Sequence, residues 1–388
     1  MRSSKLSAGV LAVLSLALLV GPAWAGWEEG VAAFKQGNLQ QAAAEFQEVV
    51  DQSPDGWQGH YMLGLVLQRQ KKNQQALEHL RKAYDLNPND LSIKSELGKS
   101  YHKANRFAEA AKVLNSVDAS ALPSDRRAAF YQLRGNSRLK SGNDGGALQD
   151  LAQLAKLKPS DAAIQYNYGL VALRAGNVDS AVAALGKAAQ SGDAKMRKAY
   201  AQALVKKARE LPKGNPAKKS SYAQAATAAT ALVSGDASFE NLMLLLSAQL
   251  GAGQYPQAAK TGEQASAKKP NDWLPLFYTG QAYTSAGNYG AAQGPLEKAL
   301  QVASPTNQRK VWQQLGFSYE KQKEFPRAID AYRNAGDSSA VARVEKNRDT
   351  ALENDAIEAE NERIRVMEAE KAALEAELEA LGSGDGGV

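Results

Sequence analysis

The chain has three histidines, His60, His79 and His102, and no cysteine at all. Those counts remove most metal and nucleophile chemistry. No His-Glu-x-x-His motif occurs, no histidine pair has ligand spacing, and no thiolate is available to zinc or to a substrate. Carboxylates are dense only toward the C-terminus. There they fall on what reads as an exposed helix, with no dry pocket to hold one acid protonated beside an ionised partner. Phosphate loops and nucleophile elbows are also absent. The expectation is therefore a protein that is not an enzyme and uses no cofactor and no metal. The chemistry left to it is recognition.

The elements that would carry such a surface repeat along the chain. GNLQQAAAEF at 37–46, KKNQQALEHL at 71–80, NRFAEAAKVL at 105–114, GNVDSAVAAL at 176–185, GQYPQAAKTG at 253–262, GNYGAAQGPL at 287–296 and KEFPRAIDAY at 323–332 share one pattern. Their common alanines, Ala42, Ala76, Ala110, Ala181, Ala258, Ala292 and Ala328, are 34, 34, 71, 77, 34 and 36 residues apart. A period near 34 signals stacked helical hairpins, each leaning on its neighbours. The gap of 71 holds one more unit around Gly135, Ala147 and Leu151. The gap of 77 holds a degenerate unit: a basic helix over 194–211, the loop LPKGNPAKKSS, and an alanine-rich helix over 222–233.

Two residue types make the hairpin argument physical. Glycine recurs inside the first helices at Gly30, Gly64, Gly98, Gly135, Gly169, Gly280 and Gly316, although each costs ~1 kcal/mol relative to alanine. Recurrence at that cost requires close helix–helix approach in return. Gly-Asn pairs at 37–38, 142–143, 176–177 and 287–288 mark the ends of first helices. Prolines 54, 88, 159 and 270 end second helices.

These units resemble the tetratricopeptide-repeat family over nearly all of 26–337. In the second unit the pattern residues are Leu63-Gly64, Leu67, Ala76, Leu80, Ala83 and Pro88; in the last they are Trp312, Leu315-Gly316, Tyr319, Ala328, Tyr332 and Ala335. The resemblance implies an all-α, right-handed superhelical solenoid of about nine hairpins whose first helices line a concave groove for a peptide or helix. Placed on this chain, the inward positions are Tyr61, Arg69, Lys99, Lys103, Gln132, Asn136, Lys140, Tyr166 and Arg174 in the first half, and Phe277, Gln281, Gln313 and Phe317 in the second. Lys99, Lys103, Asn136 and Lys140 are the strongest cluster. The lysine–asparagine order that some family members use to clamp chaperone tails is not reproduced.

The N-terminus reads as a secretory signal. Arg2 and Lys5 precede the apolar run Ala8 to Val20, and Ala23-Trp24-Ala25 is a small-x-small cleavage site. That run is shorter than the ~20 residues of a spanning helix. Export is expected, to the periplasm or outside the cell, and without cysteine the chain is no lipoprotein. Charge is split: residues 26–337 hold 39 basic and 28 acidic residues, while 338–388 hold 6 and 13. A basic body favours an acidic protein partner or a peripheral contact with the envelope, and no nucleic-acid module accompanies it.

The reading is thus a scaffold binding proteins in its groove, in envelope assembly, with an anionic envelope polymer or lipid headgroups as the alternative ligand. Its organisation is a signal peptide at 1–25, repeats one to five at 26–193, and a degenerate repeat with a basic loop insertion at 194–236. Repeats seven to nine follow at 237–337, then a capping helix and acidic coiled-coil helix at 338–381 and a disordered tail at 382–388. Ala340, Val341, Val344 and Leu352 offer the capping face. From Ile357 a heptad follows, with Ile357, Ile364, Lys371 and Leu378 at one seam position and Glu360, Met367, Leu374 and Leu381 at the other. In a parallel pair Arg363 would meet Glu368 of the partner, but Glu370 would meet Glu375. Self-pairing, a partner helix and a solvated helix all remain open on these residues.

Overall fold

The computed structural model describes residues 26–382. The expected signal peptide and the residues after Gly382 lie outside the described residues. Among the described residues there are nineteen α-helices, one 3-10 turn and no strand. Two compact units divide the chain, the first ending at Ala199 and the second beginning at Tyr200.

The first unit is a run of antiparallel hairpins: α1 (Trp27–Gln36) with α2 (Leu39–Gln52), α3 (Trp57–Arg69) with α4 (Asn73–Leu86), and α5 (Leu91–Lys103) with α6 (Phe107–Asn115). The 3-10 turn Ala119–Ala121 leads into α7 (Ser124–Lys140) with α8 (Asp144–Leu157), and α9 (Ala162–Arg174) with α10 (Val178–Ala189) completes the set. The next helix, α11 (Ala194–Glu210), crosses into the second unit. There follow α12 (Pro216–Gly235), α13 (Phe239–Ala252) with α14 (Tyr255–Lys268), α15 (Trp273–Ser285) with α16 (Tyr289–Val302), α17 (Pro305–Lys321) with α18 (Phe325–Ala335), and α19 (Ser338–Gly382). From α1 to α10, and again from α12 to α19, each helix packs against its chain neighbours, so both units are solenoid-like.

What sets the spacing within a hairpin is a contact between residues sixteen apart. A Cβ added at Gly98 would lie 2.5 Å from the Leu114 side chain, at Gly169 2.6 Å from Leu185, and at Gly64 2.8 Å from Leu80. The same collision awaits Gly316 against Tyr332 at 2.9 Å and Gly30 against Phe46 at 3.0 Å, and Gly280 strikes Leu296. The seven repeat alanines are fully buried beside these contacts. The Gly-Asn turns work in two parts. Gly37, Gly142, Gly176 and Gly287 take left-handed φ values of 82°, 83°, 76° and 79°. The asparagine after each then caps the second helix through its side chain, as Asn38 does for the Gln41 amide. Where glycine is missing, Lys71, Asn105 and Lys323 adopt the same turn at φ 62°, 58° and 61°.

The degenerate unit differs from expectation. Its extra residues lengthen helices instead of filling a loop. Asn215 caps α12, Pro216 occupies its first turn, and Lys218 and Lys219 are helical, leaving only 211–215 as connection. A close approach replaces the missing repeat glycine here too, since a Cβ at Gly251 would strike the Tyr222 ring.

The C-terminal segment is one continuous helix, α19. Ala340 and Val344 are buried against α18 and Val341 is partly so. Arg343 bonds Glu320 at 2.8 Å, and the Tyr332 hydroxyl reaches the same carboxylate. Leu352, expected in this face, is 60% exposed. The reason is length: the eleven residues of α18 span roughly 16 Å at 1.5 Å each, enough to cover α19 only to about residue 348.

Gly98→Ala should therefore destabilise the protein by about 1–3 kcal/mol through overpacking. Gly294→Ala, in α16 with open space around it, should stabilise by about 0.5–1 kcal/mol. Denaturant unfolding of the two variants checks the opposite signs.

Candidate functional site

Between the third and fourth hairpins the chain is longer than in its neighbours, and the excess builds a cavity. The connection from Val117 to Pro123 centres on the 3-10 turn Ala119–Ala121, with Asp118 accepting the Ser120 amide at 2.8 Å. Helix α7 starts a turn early and so brings Arg126 and Phe130 beside α5. The resulting cavity of about 480 Å³ is lined by Tyr61, Leu91, Ser92, Ser95, Glu96, Lys99, Ala121, Leu122, Pro123, Arg126, Ala129, Phe130 and Leu133. Its walls are mostly apolar. Its polar groups are few and oppositely charged: Lys99 bonds Glu96 at 2.7 Å, and Arg126 stands across from them.

Arg126 is the unusual member. Its Nη2 is sealed from solvent and makes no hydrogen bond within the protein. A charged donor left unpaired in this way is costly, and an incoming anionic acceptor would remove the cost. Tyr61, buried at the base, has its phenol pushed far above the ordinary value, by burial first and then by Glu96 and Asp90. It stays a neutral hydroxyl in contact with Ser92.

The other residues assigned to the groove are distributed as follows. Lys99 lines the cavity, and Lys103, a turn further on, is exposed. The Lys140 ammonium sits 4.6 Å above the Phe107 ring and beside His102. Gln132 is exposed and Asn136 half-buried on α7. Arg69 stacks on Phe34 at 4.0 Å, Tyr166 lies under Lys195 at 5.4 Å, and exposed Arg174 faces Asp144 at 3.7 Å. In the second unit Phe277 packs against Trp273 at 5.6 Å, Gln281 is half-buried, Gln313 is exposed, and Phe317 stacks edge-on with Tyr289 at 6.1 Å. The structure thus brings Tyr61 and Lys99 together and adds Glu96, Arg126 and Phe130, which counting from the repeat glycine did not reach.

Two further polar clusters lie close by. Asp150, 2% exposed, accepts Arg134 at 2.8 Å and Arg138 at 2.8 Å. Arg134 also donates to the Val117 carbonyl at 3.3 Å, and Arg138 to Asn115 at 2.6 Å, so the triad ties α7 and α8 to the end of α6. His60 and His79, on facing helices of the second hairpin, approach at 3.0 Å between Nδ1 atoms. His60 Nε2 faces the Pro54 carbonyl at 3.0 Å and must donate to it. With a neutral His60 ring, Nδ1 would accept and His79 Nδ1–H would donate. Burial, then the neighbouring His60, holds the His79 pKa below 6.5. No group of three or more metal-ligating side chains occurs among the described residues.

Antiparallel helix pairs stacked in sequence, with a first-helix glycine seated on a large second-helix residue, define a helical-repeat protein. Profiles described as Tetratricopeptide repeat match residues 28–91, 133–197 and 243–307, and a second such profile matches 67–133. These spans take in more than half of the sequence, and the chain belongs to the tetratricopeptide-repeat family. No curated protein sequence matches it. Among solved structures it is similar to MamA from Desulfovibrio magneticus RS-1, with 18% identity and a TM-score of 0.36 over 45% of this chain and 94% of that one. It is similar also to PilF of Pseudomonas aeruginosa, at 16% and 0.36 over 59% and 94%. A third is the P58(IPK) TPR domain, at 13% and 0.27 over 84% and 98%.

Asp150→Ala should cost about 3–5 kcal/mol, because it leaves two arginines half-sealed without their anion. Asp144→Ala, at an exposed bridge, should cost under about 1 kcal/mol; thermal unfolding distinguishes them. Because the folded state holds the His79 pKa below 6.5, the unfolded chain binds the proton first. Stability should be greatest above pH 6.5 and decline as pH falls below it. His79→Gln should flatten that slope in denaturant melts at stepped pH, leaving a residue from His102, whose pKa is also lowered by burial.

Proposed function

We propose that the protein is an exported, non-enzymatic scaffold that docks a segment of a partner protein on the first-helix face around α3, α5 and α7, in cell-envelope assembly. The observation that carries this reading is Arg126: a guanidinium with one nitrogen sealed and unpaired, at the wall of an otherwise apolar cavity. A partner segment with an apolar side chain against Leu122, Phe130 and Leu133, and a carboxylate beside it, would satisfy both halves of the site. Lys99 and the net positive charge of 26–337 favour the same acidic segment over a basic one. Support for export comes from the N-terminal pattern of Arg2, Lys5, the apolar run and Ala23-Trp24-Ala25, together with a cysteine-free chain.

A second reading draws on residues 200–219, where Lys206, Lys207, Arg209, Lys213, Lys218 and Lys219 outnumber the single acid Glu210. Such a stretch suits an anionic envelope polymer or lipid headgroups. Its binding would collapse with added salt.

Placing a photocrosslinking residue at Ala129 in the native cell should trap a defined partner in the envelope fraction. The adduct should be lost when Arg126→Glu is added and kept when Lys213→Glu is added. Adducts no stronger from Ala129 than from Glu78 on a second helix would end the groove reading, and loss only with Lys213→Glu would favour the second one.

A further inference from the structure

Among the described residues, none packs on α19 beyond its first turns. Leu352, Ile357, Ile364, Met367, Leu374 and Leu378 are 60%, 59%, 41%, 57%, 61% and 68% exposed. Apolar residues at heptad spacing on an otherwise charged helix call for a second helix. A parallel copy is a poor fit: Glu360 would face Glu360 and Lys371 would face Lys371 in the seam, and Glu370 would oppose Glu375 alongside.

Turning the second copy end for end changes every one of these layers. When residue i of one helix lies opposite residue 731 − i of the other, Ile357 meets Leu374, Ile364 meets Met367, and Glu360 meets Lys371. Two-fold symmetry makes each layer occur twice. Four apolar layers result, with the two Glu–Lys layers between the inner and outer pairs, while at each end Leu378 lies against Glu353. Alongside, Arg363 reaches Glu370 of the other copy, again twice, while Glu368 faces the neutral Asn361. Sliding by a heptad spoils the match, since Lys371 would then lie against Met367. Within one helix these charges have only exposed partners, Glu360 with Arg363 at 3.8 Å and Lys371 with Glu375 at 3.7 Å. Such pairs contribute little and are readily exchanged.

We propose that the protein self-associates as an antiparallel coiled-coil dimer through residues 353–378 of α19, with Glu360 and Lys371 setting register and direction. The partner is a second copy of this chain, and the Glu–Lys layers act as the specificity device that rejects the parallel arrangement.

Sedimentation of the full chain should show a dimer at micromolar concentration. Glu360→Lys alone, or Lys371→Glu alone, should weaken it by about tenfold or more, and the two together should restore it to within about threefold. Direction is read separately by spin-labelling Glu379→Cys, which is unambiguous in a chain without native cysteine. Antiparallel pairing about this centre separates the two labels by 27 residues, roughly 40 Å at 1.5 Å per residue. A monomer at every concentration, a dimer indifferent to the single reversals, or a label distance under about 20 Å overturns the proposal.

Discussion

The seat of a large second-helix side chain on a first-helix glycine sixteen residues earlier is the contact on which the architecture depends. It sets how near the two helices of a hairpin can come, and that distance decides whether the buried alanines touch or leave voids. A glycine in a helix interior is unfavourable by itself, so its return requires that the close approach recover more than the propensity loses. Since the hairpins share no single core, an error in one contact is felt by its neighbours and no further. The two units tolerate irregular members for that reason. Hairpin four has a looser seat, with a Cβ at Gly135 3.1 Å from Asp150 and 3.6 Å from Leu151, and the run continues past it unbroken.

Most of the hairpins could be read from sequence because glycine, alanine and Gly-Asn have narrow physical meanings and recur in register. The left-handed turn favours glycine, the following asparagine supplies a cap, and both roles appear in the structure as the spacing implies. Lys71, Asn105 and Lys323 make the same turn without glycine, and only the period identifies them. The period was also what failed in the degenerate unit. There the extra residues include Lys218 and Lys219, whose charge reads as loop, whereas Asn215 and Pro216 are strong start signals for the helix that contains them. Residue type alone assigns Leu352 to the cap; how far α18 extends decides whether it is covered, and that is a tertiary fact.

The candidate site was legible only in part, for a related reason. Tyr61 and Lys99 sit at fixed offsets from Gly64 and Gly98 and were found by counting. Arg126 is nine residues before Gly135, in an early turn that only α17 shares among the repeats with a first-helix glycine, so the offsets of the other first helices do not reach it. Leu122 and Phe130 become cavity walls only because the connection after α6 folds back over the first-helix face. The buried Arg134–Asp150–Arg138 triad escaped for the opposite reason. Its residues occupy repeat positions that elsewhere hold Leu63, Leu97 or Leu315 before the glycine, and Val113 or Ala184 before the large residue. Charge suggested surface where register implied interior.

That triad and the cavity belong to the same departure from the repeat. Replacing apolar contacts with a buried ion cluster is weak as a source of stability, because desolvation consumes most of the attraction. Its value is directional. Arg134 donates to the carbonyl of Val117, and Arg138 holds Asn115, so the cluster clamps the residues where the long connection begins. Arg127, on the extra turn of α7, donates to the Leu122 carbonyl at 3.0 Å and holds the other end. A leucine pair would pack equally well but could not grip a backbone carbonyl. The polar cluster therefore does for the connection what glycine does for the hairpins: it specifies one geometry where close packing alone would allow several. The cavity wall formed by Leu122 and Pro123 stands between those two anchors, so a place where the repeat is broken is held in a shape that can receive something else.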